Sequence, residues 1–293
     1  MTRGAAVGLM VLAPLLWSSA GVVTRHVERA DPIEQVFWRS FFAFLFVAVF
    51  LFFRSNPLKA VIKAGGAGLF SGAMWAVMFT AFVIALSLTT TANALVAMSI
   101  SPLLTVIAAR IVLSDPIPLR TWIAAIAAAA GIAWMFSEGT SANEATHVAG
   151  MLVALIIPVA SALNLVALRA RGARVDFIPA VMLGGALSSL IALPLALPLS
   201  ASATDVLLLG SLGVFQLGLP CVLLVMASRA LLAPELALLG LLEVVLGPLW
   251  AWLGAGEAPA AATLSGGAVV IAALAGNELA ALYRNKKGSE QFS

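Results

Sequence analysis

The chain is built from apolar runs of about twenty residues, and that length decides most of what it can become. A helix rises 1.5 Å per residue, so a run of about twenty crosses a ~30 Å hydrocarbon core. In lipid every backbone polar group must be satisfied within the structure, which leaves helices or a closed β-barrel. Barrel strands alternate apolar and polar residues, whereas these runs are continuous. The sequence is therefore read as an all-α integral membrane protein. Composition agrees: 10% of residues are charged, against roughly 25% in a soluble domain.

Ten spans are expected, near 5–24, 33–53, 62–86, 91–112, 119–136, 148–168, 177–197, 205–229, 235–254 and 262–283, with a polar tail over 285–293. The connections are short, so neighbours run antiparallel. The first twenty residues imitate a signal peptide, but Pro14 and Trp17 interrupt the apolar core and a later segment matches it, so it is kept as the first span. An even span count puts both termini on one side. If that side is the cytoplasm, thirteen of the sixteen Lys and Arg residues fall inside, and Arg25, Arg29 and Arg39 fall outside. The positive-inside rule then supports cytoplasmic termini, and helical spans in a short chain suit a bacterial inner membrane. Acids on the outer side, Glu34 and Asp205 among them, carry little topological weight. The +3 net charge is spread over loops and does not indicate nucleic-acid binding. No His, Cys and acid cluster has metal-ligand spacing, so neither metal nor cofactor is expected. The lone Cys221 reads as a small buried hydrophobe.

The second half echoes the first. The stretch "VLAPLLWSSAGVVTR" (11–25) aligns without gaps to "LIIPVASALNLVALR" (155–169), pairing Pro14 with Pro158 and Arg25 with Arg169. Likewise "ISPLLTVIAARIVLSDP" parallels "LGPLWAWLGAGEAP", pairing Pro102 with Pro248 and Asp115 with Glu257. The expected units are 1–142 and 143–284, five spans each. Five is odd, so the halves enter the membrane from opposite sides. That is an inverted repeat around a central cavity, a build typical of secondary transporters. Proline inside a helix frees a carbonyl, so Pro14, Pro102, Pro158 and Pro248 are read as hinges. The alternative is that they only shape packing.

These residues carry a resemblance. Proline midway along the fourth and ninth spans, followed in the ninth by an aromatic run and "GE" ("EVVLGPLWAWLGAGEAP"), resembles the EamA-type drug/metabolite transporters. The first-half copy is degenerate, with Asp115 for the usual Glu. Arg39 in "FWRSFFAF" matches a common Arg of the second span. The resemblance implies a transporter, mostly an exporter of amino acids, metabolites or drugs, with a cavity lined by spans three, four, eight and nine and helped by one and six. A lining that is aromatic and uncharged apart from Glu243 points to the amino-acid exporter branch and to apolar or aromatic amino acids. Anionic substrates would want inward Lys or Arg, and none is expected at mid-membrane.

Glu243 lies near the centre of the ninth span, where burying a charge costs about 2.5–3.5 kcal/mol or more. Two roles fit it: proton or substrate binding, and a hydrogen-bonded tether to a proline-freed carbonyl. Gln216 and Asn164 are amides within spans eight and six, either site groups or helix–helix glue. Ser99 flanks Pro102 and suits backbone bonding or substrate contact. Trp17, Trp75, Met78, Phe79 and Phe82 form a possible aromatic wall, with packing as the alternative. Trp38, Trp122, Trp134, Trp250 and Trp252 suit interface belts, and Arg110 and Arg229 suit snorkelling. Glycine-rich spans suit close packing or dimerisation, so a monomer or a homodimer is expected. The glycines lack the Lys-Ser/Thr of a phosphate-binding loop, which argues against an ATP-driven pump. The function expected is therefore export of small molecules by alternating access, with protons as a possible partner. A multidrug exporter of the same fold is the alternative. A membrane enzyme acting on lipid-linked substrates is disfavoured, because one mid-membrane acid does not make a cluster. A non-transporting scaffold would be a closed bundle. Reporter fusions test the orientation. A fluorescent protein after Ser293 is expected to emit, and alkaline phosphatase is expected to be active in the loop around Asp31 and inactive after Ser293.

Overall fold

The computed structural model describes the chain except residues 20–22, 25, 55, 90, 115, 136–144, 172–173, 256–260 and 291–293. Arg25, Asp115 and Glu257 of the repeat alignment thus lie outside the described residues. So does the side chain of Pro248, whose backbone is helical. The described residues are helical throughout, joined by short turns. In chain order the helices are α1 (Arg3–Trp17), α2 (Pro32–Arg54), α3 (Pro57–Leu88), α4 (Thr91–Met98), α5 (Ser101–Val112) and α6 (Leu119–Met135). They continue with α7 (Ala145–Arg171), α8 (Ile178–Ala196), α9 (Ala203–Ala227), α10 (Ala233–Gly240), α11 (Leu242–Ala255) and α12 (Ala261–Glu290).

Among the described residues, α2, α3, α7, α8 and α9 are long and apolar enough to cross a membrane by themselves. Shorter apolar stretches cover Arg3–Trp17, Ser101–Val112, Leu119–Trp134 and Leu264–Asn277. The expected fourth and ninth spans are each two helices. The first break falls at Ser99–Ile100, immediately ahead of Pro102. The second falls at Leu241, where i→i−3 bonds from Leu241 N to Leu238 O and from Val244 N to Leu241 O tighten the chain.

These breaks correct part of the proline reading. Pro102 is not interior to a helix. It stands in the first turn of α5, where its missing N–H has no intrahelical partner to lose. Pro14 and Pro158 are interior and buried, in α1 and α7. The expected first span, 5–24, also stops early: α1 ends at Trp17, and the Ser18 hydroxyl turns back to donate to Leu15 O at 2.8 Å. A distortion not foreseen lies within α9, where residues Leu212–Gly218 wind as a π-helix. Pro220 has no N–H to give the Gln216 carbonyl four residues back, and Leu219 N bonds five residues back to Val214 O in place of Phe215 O.

Small residues decide how closely the helices meet. Without a hydrophobic drive between helices in lipid, close backbone contact has to supply the packing energy. A Cβ on Gly185 of α8 would stand 2.8 Å from both Phe44 N and Ser40 O of α2. One on Gly184 would meet Trp75 Cβ of α3 at 2.4 Å, and one on Gly213 of α9 would meet Arg39 O at 2.5 Å. Hydroxyl bonds sit in the same seams: Ser40 donates to Ser188 at 2.9 Å, and Thr80 and Ser188 share a bond of 3.0 Å. A second seam joins α6 to α12, where Gly131 faces Gly266 O and Thr121 donates to Asn277 at 3.1 Å. The α3 helix packs on α7 and α8, α9 packs on α1 and α2, and α5 packs on α10. Large apolar side chains such as Phe52, Phe53, Ile111, Leu195 and Leu207 point away from the bundle, as lipid-facing residues do.

The glycine seams yield a test. Gly185→Ala is expected to destabilise the bundle by about 1–3 kcal/mol through overpacking. Gly8→Ala, where a Cβ meets nothing within 4 Å, is expected to be neutral. Thermal unfolding monitored by size-exclusion chromatography compares the two.

Candidate functional site

A chain of polar groups runs through the interior between α1, α2, α9 and α11. It starts at Arg39, which is only 5% exposed although it lies within α2. Its Nη2 donates to Gln216 Oε1 at 2.6 Å. Gln216, in the π-helical stretch of α9, donates through Nε2 to Trp17 O at 3.3 Å. That carbonyl is available because α1 ends there and the last carbonyls of a helix have no intrahelical donor. The Trp17 side chain packs against the core that holds Cys221 of α9, and α11 reaches the same end of α1 through Trp250, which donates to the Ser18 hydroxyl. The ring of Phe82 lies under the Arg39 guanidinium, 5.8 Å from its centroid.

Arg39 overturns one expectation. Counted with the outer loops, it is instead buried in the bundle, so the interior does hold a basic side chain. The reason is local. Arg39 stands seven residues after Pro32, about 10 Å along the helix axis, and Gly213 lets α9 approach the α2 backbone at Arg39 itself.

Glu243 stands in the first turn of α11 and is half-buried. Among the described residues its carboxyl makes no hydrogen bond and no ion pair, so no tether to a freed carbonyl is seen. Trp17 and Phe82 are half-buried on the same chain of groups. Trp75 and Phe79 instead belong to the main core, 5% and 6% exposed, with ring centroids 5.6 Å apart. Met78 packs against that core. Asn164 accepts from Ser71 at 2.6 Å and joins α7 to α3 as glue. Ser99 is buried at the break between α4 and α5. Trp250, expected in an interface belt, donates to the Ser18 hydroxyl at 2.8 Å and ties α11 to the end of α1.

Three buried acids were given no role from the sequence, yet they hold the two ends of the bundle. At one end Glu34 accepts from Ser200 N and Ala201 N at 2.9 Å each, from Ser200 Oγ at 2.8 Å and from Trp38 Nε1 at 3.1 Å. Beside it Asp205 accepts from Glu28 N, Arg29 N and Ser202 N. At the other end Glu235 takes both terminal nitrogens of Arg3 at 3.0 Å each and also caps Leu232 N at 3.0 Å. There too Arg229, read as snorkelling, donates to Asp176 at 3.1 Å. The signal was legible. Ser202 followed three residues on by Asp205 is a capping box, and Pro234-Glu235 opens α10 in the way helix starts favour.

Glu235 supports both an ion pair and a cap, so its loss is divisible. Glu235→Ala is expected to cost about 2–3 kcal/mol. Glu235→Gln keeps an acceptor for Leu232 N and is expected to cost less. Thermal unfolding of the purified variants orders them.

The EamA-like transporter family matches residues 4–137, the stretch from α1 through α6. No curated protein matches the chain. A solved crystal structure superposes with a TM-score of 0.80 at 18% sequence identity, over 94% of this chain and 96% of that one. At that identity the likeness is one of fold. The chain is thus similar to EamA-like transporters across its first half, and it shares an all-helical fold with a solved protein across nearly all of its length.

Proposed function

We propose that this protein is a secondary transporter that exports small metabolites, most simply apolar or aromatic amino acids, across a bacterial inner membrane by alternating access. The observation that carries this reading is Glu243, half-buried and without a hydrogen bond or ion pair among the described residues, on α11, which packs on α1, the helix that an interior polar chain joins to α2 and α9. An ionisable group at membrane depth is retained against a free-energy cost, and substrate or proton binding offsets it.

In this reading α4 with α5, and α10 with α11, each make one span, so that ten spans form two inverted five-span repeats, 1–142 and 143–284. Reciprocal pairing supports the repeat. The third span packs on the sixth and seventh, the eighth packs on the first and second, and the fourth meets the ninth. The breaks at Ser99–Ile100 and Leu241, with Pro14 and Pro158, are the hinge points; Pro248 is a fifth by the alignment. The two polar belts at opposite ends of the bundle are the contacts that close it. Arg3–Glu235 belongs to the cytoplasmic end, with both termini, and Glu34 and Asp205 belong to the outer end. Trp17, Phe82, Gln216 and Glu243 line the substrate path. Trp75, Met78, Phe79 and Asn164 brace it, and Ser99 serves the hinge.

Reconstitution in liposomes tests the proposal. Labelled Thr, Met, Leu and Phe are assayed with and without a pH gradient, using wild type and Glu243→Gln. Flux and its pH response are expected in wild type and are expected to fall at least tenfold in the variant. Flux that the variant retains unchanged would make Glu243 a bystander. Flux of lipophilic cations in place of amino acids would move the substrate class to drugs.

A further inference from the structure

The buried guanidinium of Arg39 is under-used. Nε and Nη2 lie along one edge of the guanidinium and form a fork that matches a carboxylate. Here Nη2 is bonded to a neutral amide oxygen, and Nε is sealed from solvent with no partner. No carboxylate pairs with Arg39 among the described residues. Glu34, the nearest acid along α2, is saturated by Ser200, Ala201 and Trp38. The ring of Phe82 offers the cation only a partial offset. A buried charge with one neutral hydrogen bond and an idle donor is costly, and an anion with two oxygens removes both deficits at once.

We propose that Arg39 is a carboxylate subsite, with Gln216 holding its place when no substrate is bound. A substrate carboxylate takes Nε and Nη2 together and displaces the Gln216 side-chain oxygen. Gln216 also donates to the last carbonyl of α1, so the exchange is felt at the end of that helix. Phe82 flanks the subsite, and Trp17 stands at the helix end that Gln216 reaches; both suit an apolar or aromatic substituent. The substrate class is small monocarboxylates, amino acids among them. This rests on the transport reading above and adds the group that selects for the acid.

The test compares L-phenylalanine with L-phenylalaninamide, which differs at the carboxylate, by isothermal titration of the detergent-purified protein. The acid is expected to bind wild type at least about tenfold more tightly, since a charge-assisted pair is worth roughly twice a neutral hydrogen bond. In Arg39→Gln the acid is expected to weaken to the level of the amide, with amide binding unchanged within about twofold. Arg39→Lys, which keeps charge without the fork, should fall between. Equal binding of acid and amide by wild type, or binding of neither, overturns the proposal, and that comparison needs no variant to fold. A parallel loss of both ligands in Arg39→Gln also overturns it, by making Arg39 a packing group. Selective acid binding without flux in liposomes would remove the transport reading and leave the subsite. Flux without preference for the acid would do the reverse.

Discussion

Polar groups inside a bilayer have no water to fall back on, and that constraint organises this bundle. An interior donor or acceptor is costly unless it meets another helix or a freed carbonyl. Ser71 meets Asn164, Ser40 and Thr80 meet Ser188, Thr121 meets Asn277, and Gln216 bridges Arg39 to the end of α1. The bonds need close backbones, and the glycines at 184, 185 and 213 permit the approach. Packing and polar satisfaction are therefore one problem here. The same small residues that bring α8 and α9 against α2 bring the hydroxyls and amides within reach.

Helix irregularity follows from the same rule. A helix that ends or unwinds inside the membrane leaves carbonyls open, and these must face a partner. The early end of α1 is closed by Ser18 and Ser19 bonding back to the last turn, by Gln216, and by Trp250 reaching the Ser18 hydroxyl. The π-helical stretch of α9 sits against that end and presents Gln216 to it. Local disorder of the helical ladder and the interior polar chain thus coincide in space, as π-bulges at functional sites often do.

Charge is partitioned with equal economy. Acids at the helix starts, Glu34, Asp205 and Glu235, take up orphan backbone N–H groups and at the same time join segments far apart in sequence. Helix N-termini favour negative charge, so these carboxylates are stable while buried. The interior charges, Arg39 and Glu243, have no such full complement, and this sets them apart from the structural acids.

The all-α membrane class, the positions of the five long apolar helices α2, α3, α7, α8 and α9, and the interior prolines at 14 and 158 were legible in the sequence, because run length and proline chemistry are local. Glu243 was legible too, since one acid in an apolar run is conspicuous wherever the run folds. The capping acids could have been read from Ser202-to-Asp205 and Pro234-Glu235 spacing. The burial of Arg39, the pairing of Gln216 with Trp17, the core placement of Trp75 and Phe79, and the link from Trp250 to Ser18 were not legible. Each depends on which helix face meets which, and residues as far apart as Trp17 and Gln216 become neighbours only when α1 ends where α9 winds loosely. The sequence by itself determined that the chain would be a bundle of membrane helices, since chain length per span and hydrophobicity act residue by residue. Only the tertiary structure decided which of its polar groups find partners and which keep an idle donor or acceptor, because that is settled by contacts between helices.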